Sequence, residues 1–140
     1  MKITRSVVTQ RPAAEVFAYL SDFTSTTQWD PGTVLTERIS GDGGVGTRYS
    51  NTSKFNGRET SLVYEVLDVI PGERIRLRGE NDTVTAIDTI TVKSVFGETR
   101  VTYEADFTFK GIAAIAAPFL RGAFRRLGDE AEEGLRRALA

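Results

Sequence analysis

The sequence predicts an α+β protein: a curved antiparallel β-sheet of about seven strands wrapped around one long C-terminal helix, with short helices between strands 1 and 2. Three observations predict it. From Gly111 to Ala140 the apolar residues Ile112, Ile115, Ala116, Phe119, Leu120, Ala123, Phe124, Leu127, Ala131, Leu135 and Leu139 recur mostly three or four apart, the stripe of a helix face. From Val34 to Phe109 the chain reads as successive alternating, β-branched runs separated by Gly, Asn and Asp. Only one further stretch, near Pro12 to Leu20, has a helical pattern.

Taken in order, Ile3 to Thr9 is rich in β-branched residues and reads as a strand. Pro12 suits the first position of a helix, where its missing N–H costs nothing, and Glu15 complements the dipole of the first turn. Val16, Phe17 and Leu20 give that helix its apolar face, and Ser21-Asp22 with the Thr24 to Thr27 run ends it. Trp29-Asp30-Pro31-Gly32 is a turn into the sheet. The meander that follows is Val34–Ser40, Val45–Phe55, Arg58–Ile70, Arg74–Gly79, Thr83–Val95 and Thr99–Phe109. Asn56-Gly57, between the second and third of these, is the strongest hairpin signal. In the last helix Pro118 should break the hydrogen-bond ladder near Ala114 to Ala117. Gly122, Gly128 and Gly134 should weaken it further. The expectation is a clamping half, Phe119 to Leu139, and a movable lid, Gly111 to Pro118.

Alternation assigns the faces. Arg48, Ser50, Thr52 and Lys54 face water, so Tyr49, Asn51 and Phe55 face in. Arg100, Thr102, Glu104, Asp106 and Thr108 face out, so Val101, Tyr103, Ala105, Phe107 and Phe109 face in. Leu62, Tyr64 and Val66 are assigned inward against the competing pair Val63 and Leu67. A sheet with one polar face has one apolar face to cover, and only the last helix carries a long enough stripe.

Composition narrows the chemistry. With 140 residues, 40% hydrophobic and 26% charged, the chain reads as a single domain, 1–140, with a sizeable core. A net charge of −1 argues against a nucleic-acid partner. There is no Cys and no His. Disulfides, thiolate nucleophiles and thiolate- or imidazole-held metals are thereby excluded, and acid–base chemistry must use Asp, Glu, Tyr, Arg or Lys. No metal and no cofactor is expected. Met1 to Arg5 lacks a signal-peptide apolar run and nothing approaches a membrane span, so the expected location is cytoplasmic, without stable membrane insertion.

The order of elements resembles the helix-grip fold of the START-like, Bet v 1-like (SRPBCC) superfamily. Pro12-Ala13-Ala14-Glu15-Val16-Phe17-Ala18-Tyr19-Leu20-Ser21-Asp22 followed by Trp29-Asp30 resembles the opening of its polyketide cyclase/dehydrase-like branch. Gly46-Thr47-Arg48-Tyr49, Val69-Ile70-Pro71-Gly72-Glu73-Arg74-Ile75 and Gly97-Glu98-Thr99-Arg100-Val101-Thr102-Tyr103 resemble later stretches, so the likeness covers essentially the whole chain. The resemblance implies an apolar cavity between the sheet and the long helix. Members bind lipids, sterols, polyketides or plant hormones, some cyclise polyketides, and others are co-chaperone-like. No catalytic motif of the family can be placed on this chain residue by residue.

The residues expected to line that cavity are Trp29, Tyr49, Asn51, Tyr64, Asp88, Tyr103, Phe107, Ile115 and Phe119. For the tyrosines the competing reading is core packing with each hydroxyl satisfied locally. Asn51 needs an inward partner. Asp88 lies on an apolar face between Ala86 and Ile90, where desolvation would raise its pKa and suit it to acid–base work; the alternative is a bulge that turns it to solvent. Trp29 reads as a plug at one end of the core or as a stacking platform. Gly41-x-Gly43-x-x-Gly46 matches a dinucleotide fingerprint, but a strand follows it rather than a helix, so it reads as a hairpin turn needing positive φ, or as a loop that borders the cavity mouth. Arg74, Arg76 and Arg78 read as a solvated strand face. Arg121, Arg125 and Arg126 after an apolar stretch could mark a membrane-surface helix, against which the acidic run Asp129 to Glu133 argues.

Three functions compete. The leading one is a binding protein for a small hydrophobic molecule such as a lipid or polyketide. The second is a polyketide cyclase/dehydratase-type enzyme using Asp88 or an inward Tyr as acid or base. The third is a protein-interaction module, monomer or homodimer, using an apolar patch near Ala113 to Leu120.

Overall fold

The computed structural model describes residues 1–140. In chain order it contains β1 (Lys2–Thr9), α1 (Ala13–Ser21), a 3₁₀ turn (Phe23–Ser25), α2 (Thr26–Trp29), β2 (Thr33–Ser40), β3 (Arg48–Phe55), β4 (Arg58–Ile70), β5 (Arg74–Glu80), β6 (Val84–Val95) and β7 (Glu98–Phe109). There follow α3 (Ile112–Ala116), a second 3₁₀ turn (Ala117–Leu120) and α4 (Arg121–Ala138). The seven strands form one antiparallel sheet in the order β1-β7-β6-β5-β4-β3-β2. β1 therefore pairs with the last strand, and β2 lies at the opposite edge.

The expected faces are realised. Tyr49, Asn51, Tyr64, Val66, Ile75, Leu77, Ala86, Asp88, Ile90, Val101, Tyr103 and Ala105 are buried. The conflict between Leu62/Tyr64/Val66 and Val63/Leu67 is resolved by a register shift between Val66 and Asp68. That bulge lets Val66 point inward and leaves Val69 packed on the core beyond it. Asp68 then faces out and receives Arg76 at 3.1 Å and Arg74 at 3.5 Å, so the Arg-rich face of β5 is paired as well as solvated.

α4 crosses the inner face with Phe124, Gly128, Ala131 and Leu135 buried, a four-three-four spacing along one stripe. Gly128 and Gly134 are not weak points, as helix propensity alone suggests. A Cβ on Gly128 would lie 2.6 Å from Ile3 Cγ2, and one on Gly134 would strike the Trp29 carbonyl. Both glycines mark close approach of the helix, to β1 and to the end of α2. Arg5 fixes the first of these contacts by donating to Asp129 at 3.0 Å.

The C-terminal helix is not continuous. α3, the 3₁₀ turn and α4 replace a single helix from Gly111, because Pro118 cannot donate a backbone hydrogen bond. Pro12 precedes α1 rather than opening it, and its carbonyl accepts from Val16 N–H at 3.0 Å. No helix is long and apolar enough to cross a membrane.

Candidate ligand cavity

A cavity of about 230 Å³ lies between the inner face of the sheet and the α3–α4 segment. Strand register orders its walls. Asp88 is opposite Ala105, Ala86 opposite Phe107, and Val84 opposite Phe109. Asn51 is opposite Leu62 and Phe55 opposite Arg58. Polar groups, Asn51, Tyr64, Asp88 and Tyr103, thus sit at mid-sheet. Phe55, Val84, Phe107 and Phe109 lie towards the strand ends, beneath α3. Phe124 of α4 reaches down among Phe55, Phe107 and Phe109, with ring centroids 4.4, 5.0 and 5.4 Å away.

Asp88 is the chemical centre. The register of β6 with both neighbours is unbroken through it, so no bulge turns it outward and only 3% of its surface is exposed. Its Oδ2 accepts from the Tyr103 hydroxyl at 3.3 Å, and its Oδ1 has no partner. Burial pushes its pKa up to about 7; the charge of Asp30 adds to the rise and the Tyr103 hydrogen bond opposes it. Burial also pushes the hydroxyls of Tyr64 and Tyr103 well above the usual phenol range, with Asp88 and Asp30 adding to it.

The second carboxylate, Asp30, is not flagged by the sequence pattern, which gives it only as part of a turn. Its Oδ1 accepts from Gly32 N–H and its Oδ2 from the Thr33 hydroxyl, each at 3.0 Å. These bonds make the turn between α2 and β2 and hold the side chain on the cavity wall. Burial raises its pKa, and its two hydrogen bonds partly offset the rise. An Asp two residues before Gly announces such a turn, but nothing local announces that the turn faces a cavity.

Five of the expected residues, Asn51, Tyr64, Asp88, Tyr103 and Phe107, meet on this wall. Four do not. Trp29 is buried beside the cavity as a plug, its indole N–H donating to Ser25 Oγ at 3.2 Å and its ring edge-on to Tyr103 at 5.5 Å. Tyr49 is packed in the core, with its ring 5.8 Å from that of Phe23. Ile115 and Phe119 are 74% and 87% exposed. Ala113, Ala116 and Leu120 face the cavity in their place; spaced three and four apart, they extend the stripe of Phe124, Leu127 and Ala131 back across Pro118. Asn51, for its part, is satisfied within the protein, donating to Thr36 Oγ1 at 2.8 Å and accepting from Ser53 Oγ at 2.7 Å.

The glycine loop does not border this cavity. Gly41, Gly43 and Gly46 all have positive φ, and Gly46 N–H and Val66 C=O bond at 2.9 Å to tie the loop to β4. It is a hairpin turn that glycine makes possible. No group of three or more His, Cys, Asp or Glu side chains is arranged to hold a metal.

Known structures share this architecture at low sequence identity. The Zhui aromatase/cyclase from Streptomyces sp. R1128 superposes with a TM-score of 0.84 at 14% identity, over 99% of this chain and 93% of that one. A protein from Thermus thermophilus gives 0.83 at 13%, over 99% and 97%. A START superfamily protein from Mycobacterium smegmatis gives 0.81 at 12%, over 99% and 96%. These likenesses show the helix-grip fold. No curated protein matches the sequence. Residues 1–140 match the family described as polyketide cyclase / dehydrase and lipid transport. The chain belongs to that family.

Proposed function

We propose that this protein binds a small hydrophobic molecule, of lipid or polyketide type, in the cavity between the sheet and the C-terminal helical segment. The observation that carries this reading is the cavity itself. Of its 27 wall residues 16 are hydrophobic, so an apolar guest leaves water there for a matching surface. Its size, about 230 Å³, is above the ~150 Å³ of an apolar cavity that takes benzene and below the ~300–1,000 Å³ of larger ligand pockets. A compact guest is favoured.

A fluorescent apolar naphthalene dye tests the reading. It should brighten with the native protein and be displaced by unlabelled aromatic compounds. Ala113→Trp, which adds bulk from the half-buried helix side of the cavity, should weaken it by about tenfold or more. A dye that does not bind, or binds Ala113→Trp equally well, overturns the reading.

A second reading, acid–base catalysis of the cyclase/dehydratase kind, is favoured by one observation. Asp88 is buried on the wall with a pKa of about 7, the range in which one group both accepts and donates a proton near neutrality. Unchanged turnover in Asp88→Asn, once a substrate is found, would remove the named acid.

A further inference from the structure

We infer that the ligand carries a protonated amine, seated against Asp88 with Asp30 beside it. The inference rests on the reading that the cavity holds a small molecule, and names that molecule's polar end. Two carboxylates line the cavity, and every hydrogen bond they accept comes from a neutral group: the Gly32 N–H and Thr33 hydroxyl on Asp30, and the Tyr103 hydroxyl on Asp88. Neither is in an ion pair. Lys54, the one basic residue on the wall, is solvent-exposed. The oxygen Asp88 Oδ1 is buried and has no donor at all.

An unpaired buried carboxylate is costly, and burial accordingly raises the Asp88 pKa to about 7, so that its protonated and ionised forms coexist near neutrality. An ammonium group supplies what the site lacks: positive charge, and more than one N–H to give Oδ1 a charge-assisted hydrogen bond. A neutral alcohol supplies one weaker bond. A ligand carboxylate would add negative charge beside Asp30 and the ionised form of Asp88. The apolar half of the cavity, under α3, takes the hydrocarbon end.

The arrangement also sets a proton count. The titratable groups on the wall are Asp30 from the α2–β2 turn, Lys54 from β3, Tyr64 from β4, Asp88 from β6 and Tyr103 from β7. α4 presents only Phe124, Leu127, Gly128 and Ala131 to the cavity, with Glu130 acting on Asp30. α1 presents none. Asp88 is the group whose proton is displaced when a cation arrives, and that proton passes to solvent.

Phenethylamine, phenethyl alcohol and phenylacetate, which differ mainly in head-group charge, provide the test by chemical-shift titration of the native protein. At about pH 7 the amine should bind about tenfold tighter than the alcohol, and phenylacetate weakest. At about pH 6 amine binding should release protons, read calorimetrically in buffers of different ionisation heat, while alcohol binding releases none. Asp88→Asn should remove the preference for the amine over the alcohol. Alcohol bound as tightly as amine, or no proton release with the amine, overturns the amine assignment and leaves the cavity reading standing. If none of the three binds, both fall.

Discussion

The Tyr103 hydroxyl donates to Asp88 across neighbouring strands, and it is the only hydrogen bond the Asp88 carboxyl receives. The two residues are held by different parts of the core. Tyr103 is braced edge-on by Trp29, and Asp88 is fixed by its place between Leu77 and Ala105 in the sheet. Their pairing makes the protein's stability and its cavity chemistry depend on the same proton.

The dependence has a definite sign. The folded-state pKa of Asp88 is about 7 against an ordinary 3.8, so between these values the folded chain holds a proton that the unfolded chain has lost. Stability from this group is complete below the lower value and declines as pH rises through the upper one. Asp30, also raised, acts in the same direction. Asp88→Asn should therefore be more stable than the native protein at about pH 8, on the order of 2–4 kcal/mol, and differ little at about pH 4. Urea melts at the two pH values check this.

Removing the donor should move the titration. In Tyr103→Phe neither oxygen of Asp88 has a partner, so its ionised form loses its one support. The titration midpoint, followed by NMR of the side-chain carboxyl, should rise above that of the native protein, and stability at about pH 8 should fall by roughly 1–2 kcal/mol.

Glycines of α4 should respond in opposite ways. Gly134→Ala places a methyl group against the Trp29 carbonyl and should destabilise by about 3 kcal/mol or more. Gly122 has open space where a Cβ would go, and Gly122→Ala should stabilise by about 0.5–1 kcal/mol through helix propensity. Thermal denaturation of the pair separates close packing from propensity.

Pro118→Ala should let α3 run into α4. The segment Ile112 to Leu120 now carries three large exposed side chains, Ile112, Ile115 and Phe119, while Ala113, Ala116 and Leu120 touch the cavity. An alanine N–H at position 118 restores a bond to the carbonyl of Ala114. Amide exchange across the segment should slow, and dye entry into the cavity should slow with it if the segment is the lid. Unchanged exchange would remove the proline as the cause of the break.

Residues whose environment follows from strand alternation could be read from the sequence. Asp88, Tyr64, Tyr103 and Phe107 reach the cavity wall because β4, β6 and β7 keep a period of two through them. The failures lie where two apolar faces compete within one element. In the C-terminal segment two apolar stripes lie one residue apart, and the cavity takes Ala113, Ala116 and Leu120 rather than Ile115 and Phe119. Leu67 sits in a bulge that no propensity announces, although the competing apolar faces of β4 were its trace. Asp30 shows a different limit. Its turn is written locally, but the wall it faces is made by β3, β6 and α4, far away in the chain. Gly128 and Gly134 are read as weakness by propensity and as contact by the fold, because the atoms they make room for belong to β1 and α2.

The pairing of β1 with β7, and the clasp of Arg5 on Asp129, also impose an order in time. During synthesis β1 leaves the ribosome first and waits, unpaired, until residues beyond 98 have emerged. Its second support, on α4, comes later still. The rest of the meander can zip hairpin by hairpin from β2 onward, but the first strand is a loose end throughout. Closure is therefore a late and long-range step of the kind that slows folding. Until then the edge of β7 is a place where a second chain could intrude, in addition to the outer edges of β1 and β2 that the finished sheet keeps.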